Sequence, residues 1–299
     1  MADERSTESV LSESLFHLQQ FSHDILQHCS ALVIDGRKTS PHWADGITAK
    51  GVNILGEDLS DDMMRKIEAV IEGKLTLPAF EEAQLRELGF WRWVAIAGYG
   101  NIPAEMFPFH QRYTMLSTYM RTGWPVSRFG FGSIFELGSG PLGMTEYLPA
   151  AKKVAFDPLN DHYSTLFSKW RINNVDYMSQ KQELIDDQTE FDFAICHNVI
   201  DHTDDPAWWY NTLFSKLKIG GEFLFQVNLS DNELPQAEDH RRMHPSPITY
   251  KQIMQWLEAT SDDFTFEKAD TPSQDNEYYF IAWGRKSKDV SIDYEKAVF

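Results

Sequence analysis

Three glycines and a preceding carboxylate form the stretch of the chain with the clearest chemical potential. Gly138, Gly140 and Gly143 give the spacing G-x-G-x-x-G within "FELGSGPLGMTEYL", and Glu136 lies two residues before the first glycine. A glycine turn between a strand and a helix lets a nucleotide-like ligand approach the backbone closely. The same spacing occurs in several folds, so the surrounding sequence must indicate the ligand.

A second carboxylate follows at a suitable distance. The next apolar run, "KKVAF", is followed directly by Asp157, nineteen residues after Gly138. An acid at this position can accept hydrogen bonds from both hydroxyls of a ribose. The alternative is that Asp157 only caps the segment "PLNDHY". The glycine turn upstream favours the ribose contact.

Glu136 distinguishes between the possible ligands. A dinucleotide presents a pyrophosphate to such a turn, and a nearby carboxylate repels it. A ligand that brings an ammonium group is attracted by the same charge. The turn therefore favours a cationic nucleoside over a dinucleotide.

Short apolar runs alternate with helical segments from Ser133 onward. The runs "SIFEL", "KKVAFD", "VDYM", "FDFAIC" and "GEFLFQVNL" predict strands of a parallel sheet that is covered on both faces. The runs "FTFEKA" (264–269) and "EYYFIAWGRK" (277–286) are separated by a short polar turn, which predicts an antiparallel hairpin. We expect the strand that ends at Leu137 to turn directly into a helix, with Pro141 in its first turn.

The first 128 residues predict mainly helices. Ser60 is a predicted N-cap, and Gly73 is the predicted end of the same helix. A further helix is predicted near the N-terminus from apolar residues on one face, namely Leu11, Leu15, Leu18, Phe21 and Ile25. We therefore divide the chain into a helical region (1–128), an α/β domain (129–286) and a C-terminal tail (287–299).

Composition limits the class of partner. The chain has 27 basic and 45 acidic residues, a net charge of -18, which repels nucleic-acid phosphates and anionic lipids. We therefore expect neither a nucleic-acid nor a membrane partner. Only Cys29 and Cys196 are present, the N-terminus is acidic, and no apolar run is long enough for a membrane span. These features predict a cytoplasmic protein and leave its oligomeric state open.

Taken together, the motifs resemble those of the class I S-adenosylmethionine-dependent methyltransferases. "ELGSGPLG" is similar to the first motif of that family, and "VAFDP" is similar to its acidic second motif. "FDFAICHNVIDHTDDP" resembles its fourth strand with the loop beyond, and "LFSKLKIGGEFLF" resembles its helix, Gly-Gly turn and fifth strand. The resemblance covers roughly residues 130–286. It implies an α/β fold with a seven-stranded, mostly parallel Rossmann-like sheet, a C-terminal antiparallel hairpin and an N-terminal helical region that covers the substrate.

The resemblance also implies S-adenosylmethionine as the cofactor and assigns its contacts. Gly138, Ser139 and Gly140 would pass beside the methionine part, while Glu136 would hold the ammonium group directly or through water. Asp157 would bind the ribose.

The same resemblance places further residues around the adenine and the sulfonium. Pro158 and Leu159 would flank the adenine. No acid occupies the position that often reads the adenine amino group, where Gln180 or Glu183 could serve. His197 and Asn198 would lie near the sulfonium and the methyl group.

A base is needed where an oxygen or nitrogen nucleophile must lose a proton, and histidine has a suitable intrinsic pKa. His202 is the first candidate, because its loop leaves the carboxyl edge of the sheet, where such folds bind ligands. Its alternative role is to structure that loop beside neighbouring aspartates. His240 and His244 are the other candidate bases.

The segment "DHRRMHPSP" places basic residues in an acidic protein. Arg241 and Arg242 could bind a phosphate or carboxylate of the substrate, or else form surface ion pairs with nearby acids such as Glu238. Tyr113, in the helical region, is a further candidate substrate contact. The histidines lack a recognisable metal-ligand spacing, and we predict no metal.

The leading functional hypothesis is a methyltransferase that acts on a small molecule. We expect O-methylation of a metabolite or a glycan-like substrate that carries an anionic group. One alternative is an NAD(P)-dependent oxidoreductase, which Glu136 and the terminal hairpin disfavour. The other is a non-catalytic, methyltransferase-like module that binds a partner through its helical region.

Overall fold

The computed structural model describes residues 46–130, 132–172, 174–230, 238–273, 276–289 and 291–292. The helix predicted from Leu11 to Ile25 lies outside these residues, as does most of the predicted tail. None of the helices in the described part of the chain has both the length and the apolar character that a membrane span requires.

Seven strands form one sheet in the order β3-β2-β1-β4-β5-β7-β6. The first five strands pair in parallel, and β7 runs antiparallel to both β5 and β6. The predicted sheet and its terminal hairpin are therefore confirmed. The strands are β1 (Ser133–Leu137), β2 (Lys152–Phe156), β3 (Asp176–Met178), β4 (Phe191–His197), β5 (Leu217–Ser230), β6 (Asp263–Lys268) and β7 (Glu277–Arg285).

Eight α-helices are described beside the sheet. The predicted start and end of the first are confirmed, since the Ser60 side chain accepts the amide hydrogen of Met63 and Gly73 follows with φ 67°. The helices are α1 (Asp61–Ile71), α2 (Ala79–Ala97), α3 (Phe107–Met120), α4 (Asn160–Leu166), α5 (Lys181–Asp186), α6 (Pro206–Ser215), α7 (Glu238–Met243) and α8 (Tyr250–Thr260).

Apolar side chains are buried on both faces of the sheet. Successive residues of a strand point to opposite faces, so Phe135 of β1 packs with Tyr210 of α6 and Trp256 of α8, whereas Ile134 packs with Tyr119 of α3. A separate apolar cluster joins α1 and α2 to α4. The helical region is therefore packed against the α/β domain at the end of β2.

The prediction of a helix directly after the glycine turn is wrong. Only a single 3₁₀ turn, Met144–Glu146, follows β1 before the chain enters β2. Pro149 lacks an amide hydrogen and its ring would clash with a preceding helical turn, so a longer helix has no room. The carboxylate of Glu136 instead accepts the amide hydrogens of Met144 and Thr145, at 2.9 and 2.7 Å.

The Gly-Gly pair of "KIGGEF" also lies elsewhere than expected. It falls within β5, where Gly220 has φ 79°, rather than in a turn that precedes the strand. The pairing of β4 with β5 shifts register between Phe191 and Phe193 at this point. The glycines therefore accommodate a bulge at the amino end of β5, far from its carboxyl edge.

Candidate active site

Two glycines of the turn after β1 have left-handed backbones but different surroundings. Gly138 has φ 70°, and a Cβ added there would lie 2.2 Å from Cγ2 of Val199. Gly140 has φ 58°, and a Cβ there would meet nothing within 4 Å. Gly138 therefore allows the turn to pack against the loop after β4, whereas Gly140 presents an open backbone face that a ligand can approach.

Glu136 lies beneath this turn and is 1% exposed. Burial raises the pKa of its carboxyl group to about 7, although the amides of Met144 and Thr145 partly offset this effect. A Cβ on Gly143 would lie 2.6 Å from its Oε2, so that glycine makes room for the carboxylate. Glu136 holds the 3₁₀ turn in place, and its contact with an ammonium group stays a prediction.

Asp157, directly after β2, connects two segments of the site. One carboxylate oxygen accepts the amide hydrogen of Gly140 and the other accepts that of Leu159, both at 2.9 Å. The side chain therefore does cap its own segment, but it also fixes the glycine turn. Burial and the nearby Glu87 raise its pKa. Each oxygen keeps a second lone pair, so the predicted ribose contact is compatible with this geometry.

Arg171 holds the carbonyl side of the same turn, and no sequence motif indicated it. Its Nε donates to the carbonyl oxygen of Pro141 at 2.9 Å, and its Nη2 donates to those of Gly140 (2.8 Å) and the Asn160 side chain (2.7 Å). The guanidinium lies 4.1 Å from the ring centroid of Tyr177. Turn and guanidinium therefore form one hydrogen-bonded unit.

The residues predicted near the adenine differ in their burial and in the hydrogen bonds that they already form. Pro158 and Leu159 follow Asp157 directly, and Leu159 is buried. Gln180 is exposed at the N-cap of α5, and Glu183 accepts its amide hydrogen at 2.7 Å in a reciprocal capping box. Both candidates for the adenine amino group are thus engaged in starting α5.

Polar atoms without hydrogen-bond partners in the described part of the chain lie at the carboxyl end of β4 and on the neighbouring strand β5. Nε2 of His197 lies 3.4 Å from the hydroxyl of Thr118 on α3, and burial lowers the pKa of this histidine to about 4. Asn198 has a left-handed backbone with φ 56°. Among the described residues, Oδ1 of Asn198 and Oε1 of Gln226 are buried and accept no hydrogen bond. Such atoms are satisfied by an ordered water or by a bound ligand.

His202 faces a carboxylate from the helical region. Its Nδ1 lies 3.8 Å from Oε2 of Glu87 on α2, and its Nε2 lies 3.5 Å from Nδ2 of Asn198. The other Glu87 oxygen accepts from the hydroxyl of Tyr163 and from the indole of Trp91. Burial raises the pKa of Glu87 and lowers that of His202 to about 4, so the imidazole is neutral at neutral pH. Sequence reasoning missed Glu87 because it looks like an ordinary helix charge.

The other two predicted bases lie beside His202 but are paired with acids. The ring centroid of His244 is 4.0 Å from that of His202 and 4.1 Å from that of His240. Nδ1 of His244 lies 2.7 Å from Oδ2 of Asp201, and Nε2 of His240 lies 2.8 Å from Oε1 of Glu277. The structure therefore gathers the three histidines into one cluster.

The predicted substrate contacts lie at the surface. Arg242 forms ion pairs with Glu238 at 2.5 Å and with Glu82 at 3.4 Å, which is the surface-pairing alternative. Arg241, on the same helix, is exposed, and Tyr113 of α3 is exposed as well. Their substrate contacts stay predictions.

The chain matches a family model described as a methyltransferase domain over residues 42–261. No curated protein matched the sequence. Among solved structures, the N-methyltransferase NodS of Bradyrhizobium japonicum in complex with S-adenosyl-L-homocysteine is 13% identical with a TM-score of 0.46, covering 69% of this chain and 98% of that one. The phosphoethanolamine N-methyltransferase 2 of Haemonchus contortus is also 13% identical, with a TM-score of 0.50, covering 71% of this chain and 61% of that one.

The family match spans the glycine turn, Asp157 and the histidine cluster as well as most of the described helical region. A match to a methyltransferase family model contradicts the alternative that the chain is an NAD(P)-dependent oxidoreductase. The open face of Gly140 and the enclosed carboxylates around it also fit a cationic nucleoside. The chain therefore belongs to the class I S-adenosylmethionine-dependent methyltransferases, with S-adenosylmethionine as its cofactor.

Proposed function

We propose that this enzyme methylates a hydroxyl oxygen of a small molecule, a metabolite or glycan-like compound that carries an anionic group. The observation that carries the proposal is the pair formed by Glu87 and His202. A buried, neutral imidazole with a carboxylate 3.8 Å from one ring nitrogen has the composition of a general base and its orienting partner.

The cofactor would be held by the residues of the glycine turn and of the carboxyl ends of β2 and β4. Burial raises the pKa of Glu87, Glu136 and Asp157, so their charged forms lack compensation in the enclosed site. A ligand that brings a sulfonium and an ammonium group would stabilise those charged forms, which favours such a ligand. The bound cofactor supplies an electrophilic methyl group. The protein must position the acceptor. In well-oriented reactions such positioning lowers the activation barrier by about 7–11 kcal/mol.

Proton removal would take place at Nε2 of His202. With the hydrogen on Nδ1, directed toward Glu87, Nε2 keeps the lone pair that accepts the hydroxyl proton. The amide of Asn198 lies 3.5 Å from this nitrogen, a long and weak contact that a substrate hydroxyl can replace. The carboxylate of Glu87 then stabilises the imidazolium that forms.

The polar atoms at the end of β4 support a hydroxylated acceptor. Oδ1 of Asn198 and Oε1 of Gln226 are acceptors without partners among the described residues, so a ligand that donates hydrogen bonds satisfies them. An apolar acceptor would leave both unsatisfied, at a cost of about 1–3 kcal/mol each.

Arg241 is the stronger candidate for an anionic group on the substrate, because Arg242 already pairs with Glu238 and Glu82. The net negative charge of the chain supports a small-molecule partner rather than a nucleic acid or a membrane surface. The low cysteine content supports a cytoplasmic location.

Calorimetry with S-adenosylmethionine and its demethylated product tests the site, with Asp157→Ala as the variant and the exposed Asp161→Ala as its matched control. We expect Asp157→Ala to weaken binding by about 10- to 100-fold, because hydrogen bonds to a charged group contribute about 1.5–3 kcal/mol. Asp161→Ala should bind like the wild type. Folded protein that binds neither compound would contradict the assignment.

A transfer assay with labelled cofactor and a panel of hydroxylated acids tests the reaction itself. Mass spectrometry of the products should locate the methyl group on oxygen. Products methylated only on nitrogen or carbon would refute the proposed acceptor. Cofactor binding without transfer to any small molecule would favour the partner-binding alternative.

A further inference from the structure

Two histidines and two carboxylates converge beside His202 from three separate segments. Asp201 lies in the turn after β4, and Glu277 is the first residue of β7. His240 belongs to α7, and the amide of His244 donates to its carbonyl oxygen, which extends the helical turn. The two histidines thus stand four residues apart on one face.

The donor atoms lie close enough together to surround a single ion after small side-chain shifts. Nδ1 of His244 lies 2.7 Å from Oδ2 of Asp201 and 3.9 Å from Oε1 of Glu277, while Nε2 of His240 lies 2.8 Å from the same Glu277 oxygen. In a tetrahedral site with bonds of about 2.0–2.1 Å, neighbouring donor atoms are roughly 3.3 Å apart. The donor atoms of His240, His244 and Glu277 all lie within 4.8 Å of one another.

The carboxylates are enclosed, and one of them is incompletely bonded. Asp201 is 1% exposed and the side chain of Glu277 is 4% exposed. Oδ1 of Asp201 is buried and has no hydrogen-bond partner among the described residues. Buried carboxylates normally pair with a cation or coordinate a metal, since burial of an uncompensated charge is costly.

We propose that His240, His244 and Glu277 bind one Zn²⁺ ion in a tetrahedral site whose fourth position is open, with Asp201 as the carboxylate partner of His244. Two imidazole nitrogens with one carboxylate oxygen suit zinc, whereas Mg²⁺ and Ca²⁺ prefer shells made of oxygen alone. The ion would join α7 to β7, and Asp201 would link the site to the turn after β4. It would stabilise the helix that carries Arg241 and leave His202 outside the shell, facing Glu87.

A rival ligand set shares one of these three ligands. The donor atoms of Asp201, His202 and His244 also lie within 4.8 Å of one another. Nδ1 of His202 lies 3.8 Å from Oε2 of Glu87 and has no hydrogen-bond partner among the described residues, so it is available to this rival set as well as to methyl transfer. Variants of His202 and His240 separate the two sets.

The experiment measures Zn²⁺ affinity of full-length, metal-stripped protein by competition with a chromophoric chelator, and the visible spectrum of the Co²⁺ form. We expect a single tight equivalent and the intense spectrum of tetrahedral Co²⁺ in the wild type. His240→Ala and the isosteric Glu277→Gln should each weaken Zn²⁺ binding by more than about 100-fold, since even second-shell partners are worth 10–100-fold. Zn²⁺ should raise the melting temperature of the wild type and not that of these variants.

A control variant outside the cluster shows whether a loss of zinc affinity is specific to these ligands. His110→Ala removes a half-buried histidine that stacks on Tyr99 outside the cluster, and it should leave affinity unchanged. Weak binding that all variants share equally would identify an adventitious ion and overturn the proposal. Loss of zinc in His202→Gln but not in His240→Ala would overturn it in favour of the rival set. Because the readout is metal affinity, a failed result leaves the cofactor assignment intact, and a failed transfer assay leaves the metal site intact.

Discussion

Oε2 of Glu87 lies 3.8 Å from Nδ1 of His202, which joins the helical region to the loop that follows the fourth strand. The same carboxylate accepts a hydrogen bond from Tyr163 on α4 and, through its charge, raises the pKa of Asp157. One side chain of α2 therefore lies between the candidate base and the residue predicted to bind the ribose. If those assignments hold, the helical region would contribute to the active site as well as cover it.

Glu87→Gln should lower the rate of methyl transfer because the amide no longer stabilises the imidazolium of His202. We expect kcat to fall by about 10- to 100-fold, a part of the roughly 10²–10⁴-fold that general base catalysis contributes. With acceptors whose hydroxyl groups are more acidic, kcat should fall by a smaller factor, since these acceptors depend less on a base. Steady-state kinetics over a series of acceptors measures this.

The control for that prediction is Glu81→Gln, an exposed carboxylate in the first turn of the same helix. It should leave kcat unchanged. An equal loss in both variants, or a loss in Glu87→Gln that does not depend on hydroxyl acidity, would show that the carboxylate has only a structural role.

Arg171→Ala should loosen the glycine turn, because three acceptors lose their charged donor together: the carbonyls of Gly140 and Pro141 and the side chain of Asn160. We expect the free energy of unfolding to fall by about 2–4 kcal/mol, together with a loss of cofactor affinity. Arg171→Lys should not restore either property, since a single ammonium group cannot reproduce the planar fork. Denaturant unfolding and calorimetry measure both.

A matched comparison is Arg65→Ala, which removes an exposed arginine that pairs with Asp62 on α1. Its effect on stability should be small, because exposed ion pairs contribute about 0–1 kcal/mol. Full rescue by lysine at position 171 would mean that charge alone, and not the fork of hydrogen bonds, holds the turn.

The sheet was predictable because its determinants are local. Runs such as "SIFEL" and "FDFAIC" are mostly apolar, as is typical of strands buried on both faces, and they are confirmed as β1 and β4. The helix after the glycine turn was wrong because its outcome depends on Pro149 and on the buried Glu136, whose partners lie several residues away.

Only part of the site could be predicted, for the same physical reason. Glu136, Gly140 and Asp157 belong to contiguous motifs that a resemblance can carry. Glu87 and Arg171 act through contacts between elements that are distant in the sequence, and a charged residue on a helix or loop gives no sign of such a contact. The clustering of the histidines likewise depends on how α7 packs beside β7.

The contribution of Glu136 to the stability of the cofactor-free enzyme should fall as the pH rises from about 4.5 to 7. Burial raises the pKa of Glu136 from 4.5 to about 7 in the folded state, so over this range the unfolded chain loses a proton that the folded chain keeps. The contribution of this group is then highest below the unfolded pKa and levels off above the folded one, a loss on the order of 3 kcal/mol. Denaturant unfolding of the wild type and of Glu136→Gln at several pH values measures the difference.

Glu136→Gln should remove this contribution, since an amide does not titrate. The other buried groups titrate in both proteins, because burial also raises the pKa of Asp157 and lowers that of His202. Glu57→Gln, at an exposed site, should keep the pH dependence of the wild type. A stability difference between the wild type and Glu136→Gln that stays constant from pH 4.5 to 7 would mean that the amides of Met144 and Thr145 offset burial and keep the carboxylate ionised.

Arg241→Ala should raise the KM for an acidic acceptor a few-fold and leave kcat unchanged, because an exposed ion pair with the substrate contributes equally to the ground state and the transition state. Arg242→Ala is the matched control on the same helix, since Glu238 and Glu82 already pair with that guanidinium. The difference between the two variants should disappear at high salt and with a neutral analogue of the acceptor. If the acidic acceptor keeps its KM in both variants, its anionic group is bound elsewhere and α7 has no part in substrate selection.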